Sequence, residues 1–263
     1  MPTLWDYEKR KKIRENHIYK NTNKVWNKYR LNKRENIGST MNIIKICKPK
    51  NLEEWENFYE KSGKEADEMK SHLSFKSFKE LKEAISEINR EHGKTKDNLT
   101  DLAKEFQGYL KNEGMDLDLD TCFNYVYIRA VDETFLGYQR EMIAFKILTD
   151  YCQSKGFTIK ETSDFDDVYY GVDFEIFKND KLLAGVQAKG SVYKRAVNKT
   201  SSSNVIKKAD QILQRINSEY STLKKVPVFY VYVEEDLTIK DTSIFNQIDS
   251  LSKSKCKTDR IDR

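Results

Sequence analysis

The first half of the chain spaces its apolar residues with a helical period. Asn51-Leu52-Glu53-Glu54 has a capping-box pattern, and Leu52, Trp55, Phe58 and Tyr59 then follow at helical spacing. Ser77 to Glu80 repeats that pattern. Phe78, Leu81, Ile85 and Ile88 continue it as a stripe that Gly93 stops. Further helices are predicted over 99–112, ended by Gly114, and over 120–131.

Beyond residue 136 the pattern changes. A long helix over 137–155 carries Met142, Ile143, Phe145, Ile147, Leu148 and Tyr151, with Gly156 as its stop. Residues 157–160 alternate as a short strand. Residues 169–177 read as a second strand with Val172, Phe174 and Ile176 on one side. A turn-rich stretch, 178–181, leads into a third strand over 182–189 and then a polar loop over 190–204. Asn204 caps a helix in which Val205, Ala209, Ile212, Leu213, Ile216 and Tyr220 share a face, and "VPVFYVYV" from Val226 to Val233 is a buried fourth strand. The order α-β-β-β-α-β predicts an α/β (α+β) fold with a mixed central sheet flanked by helices. The chain then divides into a mainly helical region over 1–136, a sheet-bearing core over 137–240 and a polar tail over 241–263. Only three prolines and no Gly/Ser linker interrupt it.

Composition narrows the chemistry. Charged residues make up 34% and the net charge is +5, a mild excess that permits an anionic partner. Lys189, Lys194, Arg195, Lys199, Lys207 and Lys208 concentrate at the end of the third strand and beyond it. The four cysteines, Cys47, Cys122, Cys152 and Cys256, form no CxxC pair and read as reduced thiols. All three histidines, His17, His72 and His92, lie in the N-terminal half, which argues against a histidine base or a His-rich metal cage. No apolar run approaches the roughly 20 residues of a membrane span. The N-terminus lacks a signal-peptide h-region, so a soluble cytoplasmic protein is expected.

The third strand ends in "GVQAKG", which places an amide and a lysine where a core strand has no need of them. Gln187 and Lys189 are two apart and share a face. Asp173 on the second strand meets Gln187 when the hairpin loop has an odd number of residues or a bulge intervenes. A plain two-residue loop would pair Asp173 with Val186. In the productive register Asp173, with a side-chain or backbone oxygen of the third strand, can hold Mg²⁺. Lys189 is then placed to orient or deprotonate a water, or to stabilise a phosphate as charge develops. Glu141, early in the long helix, and Glu175, on the face of Asp173, are further candidate ligands.

Asp173 followed by Gln187-Ala188-Lys189, with Glu141 on the leading helix, resembles the PD-(D/E)XK nuclease superfamily over residues 137–233. Val172 stands where that pattern has proline, and Gln187 where it has an acid. An amide supplies an oxygen without charge, so metal affinity leans on Asp173 and on Glu141 or Glu175. Some active members use Q-x-K. "NIGSTMNIIK", "NLEEWENFYE" and "NYVYIRAVDETFLGYQRE" are similar to MjaI-type restriction endonucleases. That resemblance implies a restriction-endonuclease-like core and a Mg²⁺-dependent type II endodeoxyribonuclease. It also implies a homodimer and cleavage of a short palindrome in double-stranded DNA, CTAG in that family. Asp173 and Gln187 would bind metal, Lys189 would act on water or phosphate, and Glu141 would support the metal.

Tyr193, Lys194, Arg195, Asn198 and Lys199 read either as a DNA-contacting loop or as a mobile polar one. The run "EKRKKIR" from Glu8 reads as a charged terminus or a DNA arm. Trp5, Trp26 and Trp55 are expected in the core or an interface. Two rivals stay open: a structure-specific or repair nuclease without base preference, and a DNA-binding protein that has lost catalysis, for which Gln187 is the warning sign.

Overall fold

A computed structural model describes residues 4–74, 77–198 and 204–253. The chain divides into two compact units, one ending at Tyr138 and one beginning at Gln139.

The first unit is helical: α1 (Leu4–Glu15), α2 (His17–Lys28), α3 (Arg34–Ile37), α4 (Thr40–Cys47), α5 (Leu52–Ser71), α6 (Phe78–Glu91), α7 (Lys96–Asn112) and α8 (Leu119–Tyr127). A π-helical turn over Ile128–Asp132 carries α8 into α9 (Glu133–Ser154), so the long helix starts ahead of Gly137. The caps follow the local sequence. The side chains of Asn51 and Ser77 accept the N–H groups of Glu54 and Glu80, and Thr95 forms a capping box with Asn98. Trp26, Trp55, Tyr59, Phe106, Leu110 and Tyr125 fill the core. The basic run is no simple solvated terminus. Arg10 is 3% exposed, with Nε on Asp132 at 2.9 Å and Nη2 on Glu56 at 2.8 Å, while its guanidinium lies 4.6 Å from the Tyr127 ring centre.

The second unit takes in most of α9, then β1 (Thr158–Glu161), α10 (Asp164–Tyr170), β2 (Phe174–Lys178) and β3 (Lys181–Gly190). It continues with α11 (Ser191–Asn198), α12 (Asn204–Lys224), β4 (Val228–Val233) and α13 (Ser243–Lys253). The sheet order is β1-β2-β3-β4; the first three strands are antiparallel and β4 runs parallel to β3. One sheet face packs Phe174, Ile176, Val186, Ala188, Val231 and Val233 against Ala144 and Leu148 of α9 and Ile244 and Ile248 of α13. The other face meets α12, where Tyr220 occupies the space that Gly185 leaves.

Three sequence expectations change. The second strand starts at Phe174, because Ser163 caps a short helix that runs through Asp166 and Asp167 to Tyr170. Val172 accordingly joins Tyr220 beside Gly185 rather than the Phe174–Ile176 row. Residues 191–198 form a helix, since nothing between Ser191 and Asn198 breaks one. The segment from 241, expected as a polar tail, supplies α13, whose Ile244 and Ile248 are buried at helical spacing. Cys256 lies outside the described residues. No helix among the described residues is long and apolar enough to cross a membrane.

Candidate active site

The register that joins Asp173 to the third strand depends on a bulge. Asn179 and Asp180 form a two-residue turn with φ of 49° and 58°, and Lys178 pairs with Lys181. Positive φ at both central residues is the mark of a type I′ hairpin turn. Phe177 then pairs with Leu182 but Ile176 with Ala184, leaving Leu183 as an extra residue on β3. This shift brings Phe174 opposite Val186. Asp173, just ahead of the strand, donates its N–H to Val186 O at 2.9 Å, and its Oδ2 accepts the N–H of Ala188 at 2.6 Å. The carboxylate is thereby held at the residue between Gln187 and Lys189.

The approach to Asp173 is fixed from both sides. Thr162 donates its N–H to Asp173 O at 3.2 Å and its hydroxyl to Val172 O. Gly171 ends α10 in the left-handed region, φ 61°, with its N–H on Asp167 O. A Cβ there would stand 2.7 Å from Gln187 Nε2, so glycine is needed for its conformation and for the amide beside it. Gln187 is 1% exposed, and its Oε1 is buried with no hydrogen-bond partner among the described residues. Lys189 is half-buried and pairs with Tyr232 of β4. Glu175 accepts the Tyr220 hydroxyl at 2.5 Å, and Glu141 is half-buried on α9 and engaged in an interaction of its own. Burial, helped by the Glu175 carboxylate, pushes the Tyr220 hydroxyl well above the ordinary phenol range, so it serves as a donor.

Residues 20–248 match the family model of the MjaI restriction endonuclease, which is most of the 263-residue chain. The chain belongs to the MjaI restriction endonuclease family. No curated protein and no solved structure matches it. Family membership makes it an endodeoxyribonuclease that binds DNA.

Restriction endonucleases are in general divalent-metal dependent. Among the described residues of this MjaI-family enzyme, no three His, Cys, Asp or Glu side chains converge as a metal cage. The oxygen of Gln187 is nevertheless a hard acceptor that no donor among the described residues satisfies, and the next residue, Ala188, holds the Asp173 carboxylate on its N–H. An oxygen donor set of this kind fits a Mg²⁺ that keeps several of its waters.

The candidate DNA contacts sit on α11 instead of a loop. The Tyr193 hydroxyl donates to Asp210 at 2.7 Å, and Lys194 pairs with Asp241 while its ammonium lies 4.9 Å from the Tyr232 ring centre. The Lys194 hydrogen bond holds the Asp241 carboxyl down at about 2. Arg195 is largely exposed, 3.8 Å from Glu234. Asn198 is exposed and borders a cavity of about 280 Å³ with Tyr193, Lys194, Gln214, Tyr230 and Tyr232. Lys199 lies outside the described residues.

Sequence reading missed Arg140. It stands four residues before Ala144 on the stripe Ala144, Leu148 and Cys152 that α9 turns to the core. A cation heading an otherwise apolar stripe was the available signal.

Proposed function

We propose that this chain is a Mg²⁺-dependent type II restriction endonuclease that cuts both strands of a short palindrome in duplex DNA. Asp173 and Gln187 are its metal ligands and Lys189 its active cation. The observation that carries the reading is the Asp173 carboxylate on the Ala188 N–H, between Gln187 and Lys189. When bound, the cation offsets phosphate charge and makes water more acidic.

The residues divide the remaining work. Asp173 contributes a carboxylate fixed on the β3 backbone, and Gln187 a neutral oxygen left unpaired among the described residues. Lys189 orients the attacking water and stabilises the charge that gathers on the phosphate oxygens. As the new P–O bond forms, the bond to the leaving oxygen breaks, and that oxygen takes a proton from solvent. Glu141 supports the metal from α9. Glu175, fixed by Tyr220, has the lesser share. Tyr193, Lys194, Arg195, Asn198 and Lys199 contact the DNA, with the basic groups on phosphates. Two strands of a palindrome need two symmetry-related sites, so the working form is a homodimer. CTAG is the first sequence to test.

Digestion of a plasmid of known sequence tests the reading. Discrete fragments with ends mapping to one palindrome are expected in Mg²⁺ and none in EDTA. A smear, or cutting confined to junctions, would favour a structure-specific nuclease. Tight binding without cleavage at any sequence would favour a protein inactivated by Gln187.

A further inference from the structure

We propose that Arg140 is a DNA-phosphate ligand of the cleaved strand, a role that rests on the nuclease reading of the same site. Its guanidinium lies over Gly190, the last residue of β3 and the one after Lys189. A Cβ built on Gly190 would stand 3.4 Å from Cζ and Nη1 and 3.6 Å from Nε, so the group is packed flat on that backbone. Its Nε is buried without a partner, and Arg140 enters no ion pair among the described residues.

The acids at that end of the sheet are already engaged. Gly190 pairs with Val233 on β4, and the next residue, Glu234, accepts the Ser191 hydroxyl and faces Arg195. Asp241 holds Lys194. Arg140 is half-buried, and a guanidinium whose Nε is shielded from water with no carboxylate beside it gains most from an anion that arrives from outside. Its planar fork suits a phosphate that accepts two parallel hydrogen bonds. Immediately beyond the candidate catalytic lysine, the anion that fits is a phosphodiester of the bound DNA.

The test compares Arg140→Gln, Arg140→Lys and a control, Lys181→Gln, which removes the same charge at the exposed hairpin turn. Affinity for a duplex is measured in Ca²⁺ across a salt series, so binding is read without cleavage. Single-turnover cleavage in Mg²⁺ is measured separately. Loss of one phosphate contact makes the slope of log K against log[salt] shallower by about one. That change is expected for Arg140→Gln, with Arg140→Lys keeping most of the slope and Lys181→Gln all of it. An unchanged slope with cleavage slowed more than about tenfold places the contact on the scissile phosphate as it reacts, and supports the proposal. Unchanged slope and unchanged cleavage in Arg140→Gln overturn it, as does an equal slope change in Lys181→Gln. If Arg140→Gln does not fold, Arg140→Met, which also removes the charge, decides: cleavage within twofold of the parent, with an unchanged slope, overturns the proposal. Because the slope is independent of chemistry, failure of Lys189 as the catalytic group would leave this result readable.

Discussion

Two arginines in the two units meet burial in opposite ways. In the first unit Arg10 is saturated: Asp132 takes two of its hydrogen bonds, Glu56 a third, and Tyr127 covers the guanidinium. In the second, Arg140 has a buried Nε with no partner, and the buried Oε1 of Gln187 is equally unmet. The first unit has orphan atoms too, such as Arg129 Nε, yet that guanidinium is still tied to Glu133. Polar groups closed on one another hold a fold together. Under the proposed reading, the polar groups left open near the end of β3 are placed for a ligand.

The sharpest way to test that contrast is to remove the fixed carboxylate. Asp173→Asn keeps the shape and should slow cleavage at least about 10³-fold while the protein still folds and binds duplex in Ca²⁺. A drop of less than tenfold would move the chemistry elsewhere.

The arginines come next. Arg10→Met leaves Asp132 and Glu56 buried without their cation and should cost about 3–5 kcal/mol in denaturant unfolding. Arg140→Met should be neutral or stabilising. Equal losses at the two positions would erase the distinction drawn between them.

Lys94 gives a case tunable by pH. It is 5% exposed, hydrogen-bonded to Asn89, and burial lowers its ammonium to about 8 from an ordinary value of 10.5. Its folded state binds fewer protons than the unfolded one between those values, so it weakens the fold at neutral pH, and stability rises as pH climbs through 8 towards 10.5. At pH 7 the lowered value corresponds to about 3 kcal/mol at 1.36 kcal/mol per pH unit. Lys94→Met should therefore melt higher than the parent at pH 7, with the gap closing by pH 10. A gap that is absent or grows with pH would contradict this.

The smallest effect is at Gly171. Alanine there must adopt φ 61° and would crowd Gln187 Nε2, for a loss of about 1–2 kcal/mol. The same variant should need more Mg²⁺ for half-maximal cleavage. An unchanged metal requirement would detach the Gln187 amide from the metal.

Much of the frame was legible because it is written locally. Helical spacing and capping residues at Asn51 and Ser77 mark α5 and α6, and alternation marks the strands. Asp173, Gln187 and Lys189 stood out because a carboxylate, an amide and a lysine are anomalous on strands that enter a core. What local pattern does not encode was left open or missed. The sequence allowed either an odd loop or a bulge to bring Asp173 to Gln187, and the fold takes the bulge, at Leu183, behind a two-residue turn. Two short helices, α10 and α11, are too brief for periodicity to separate them from strand or loop. Arg10 looked like one charge in a basic run, because its partners Glu56 and Asp132 are far away in sequence. Arg140 heads the apolar stripe of α9 in the sequence, but its contact with Gly190 exists only in the folded chain.

The most direct test is the cleavage rate of Lys189→Ala in Mg²⁺, with duplex affinity measured in Ca²⁺. Rate lost by about 10³-fold or more, with affinity kept within a few-fold, is the predicted result. Cutting at the parental rate would contradict it, and the catalytic centre would have to be sought away from the Asp173–Lys189 corner of the sheet.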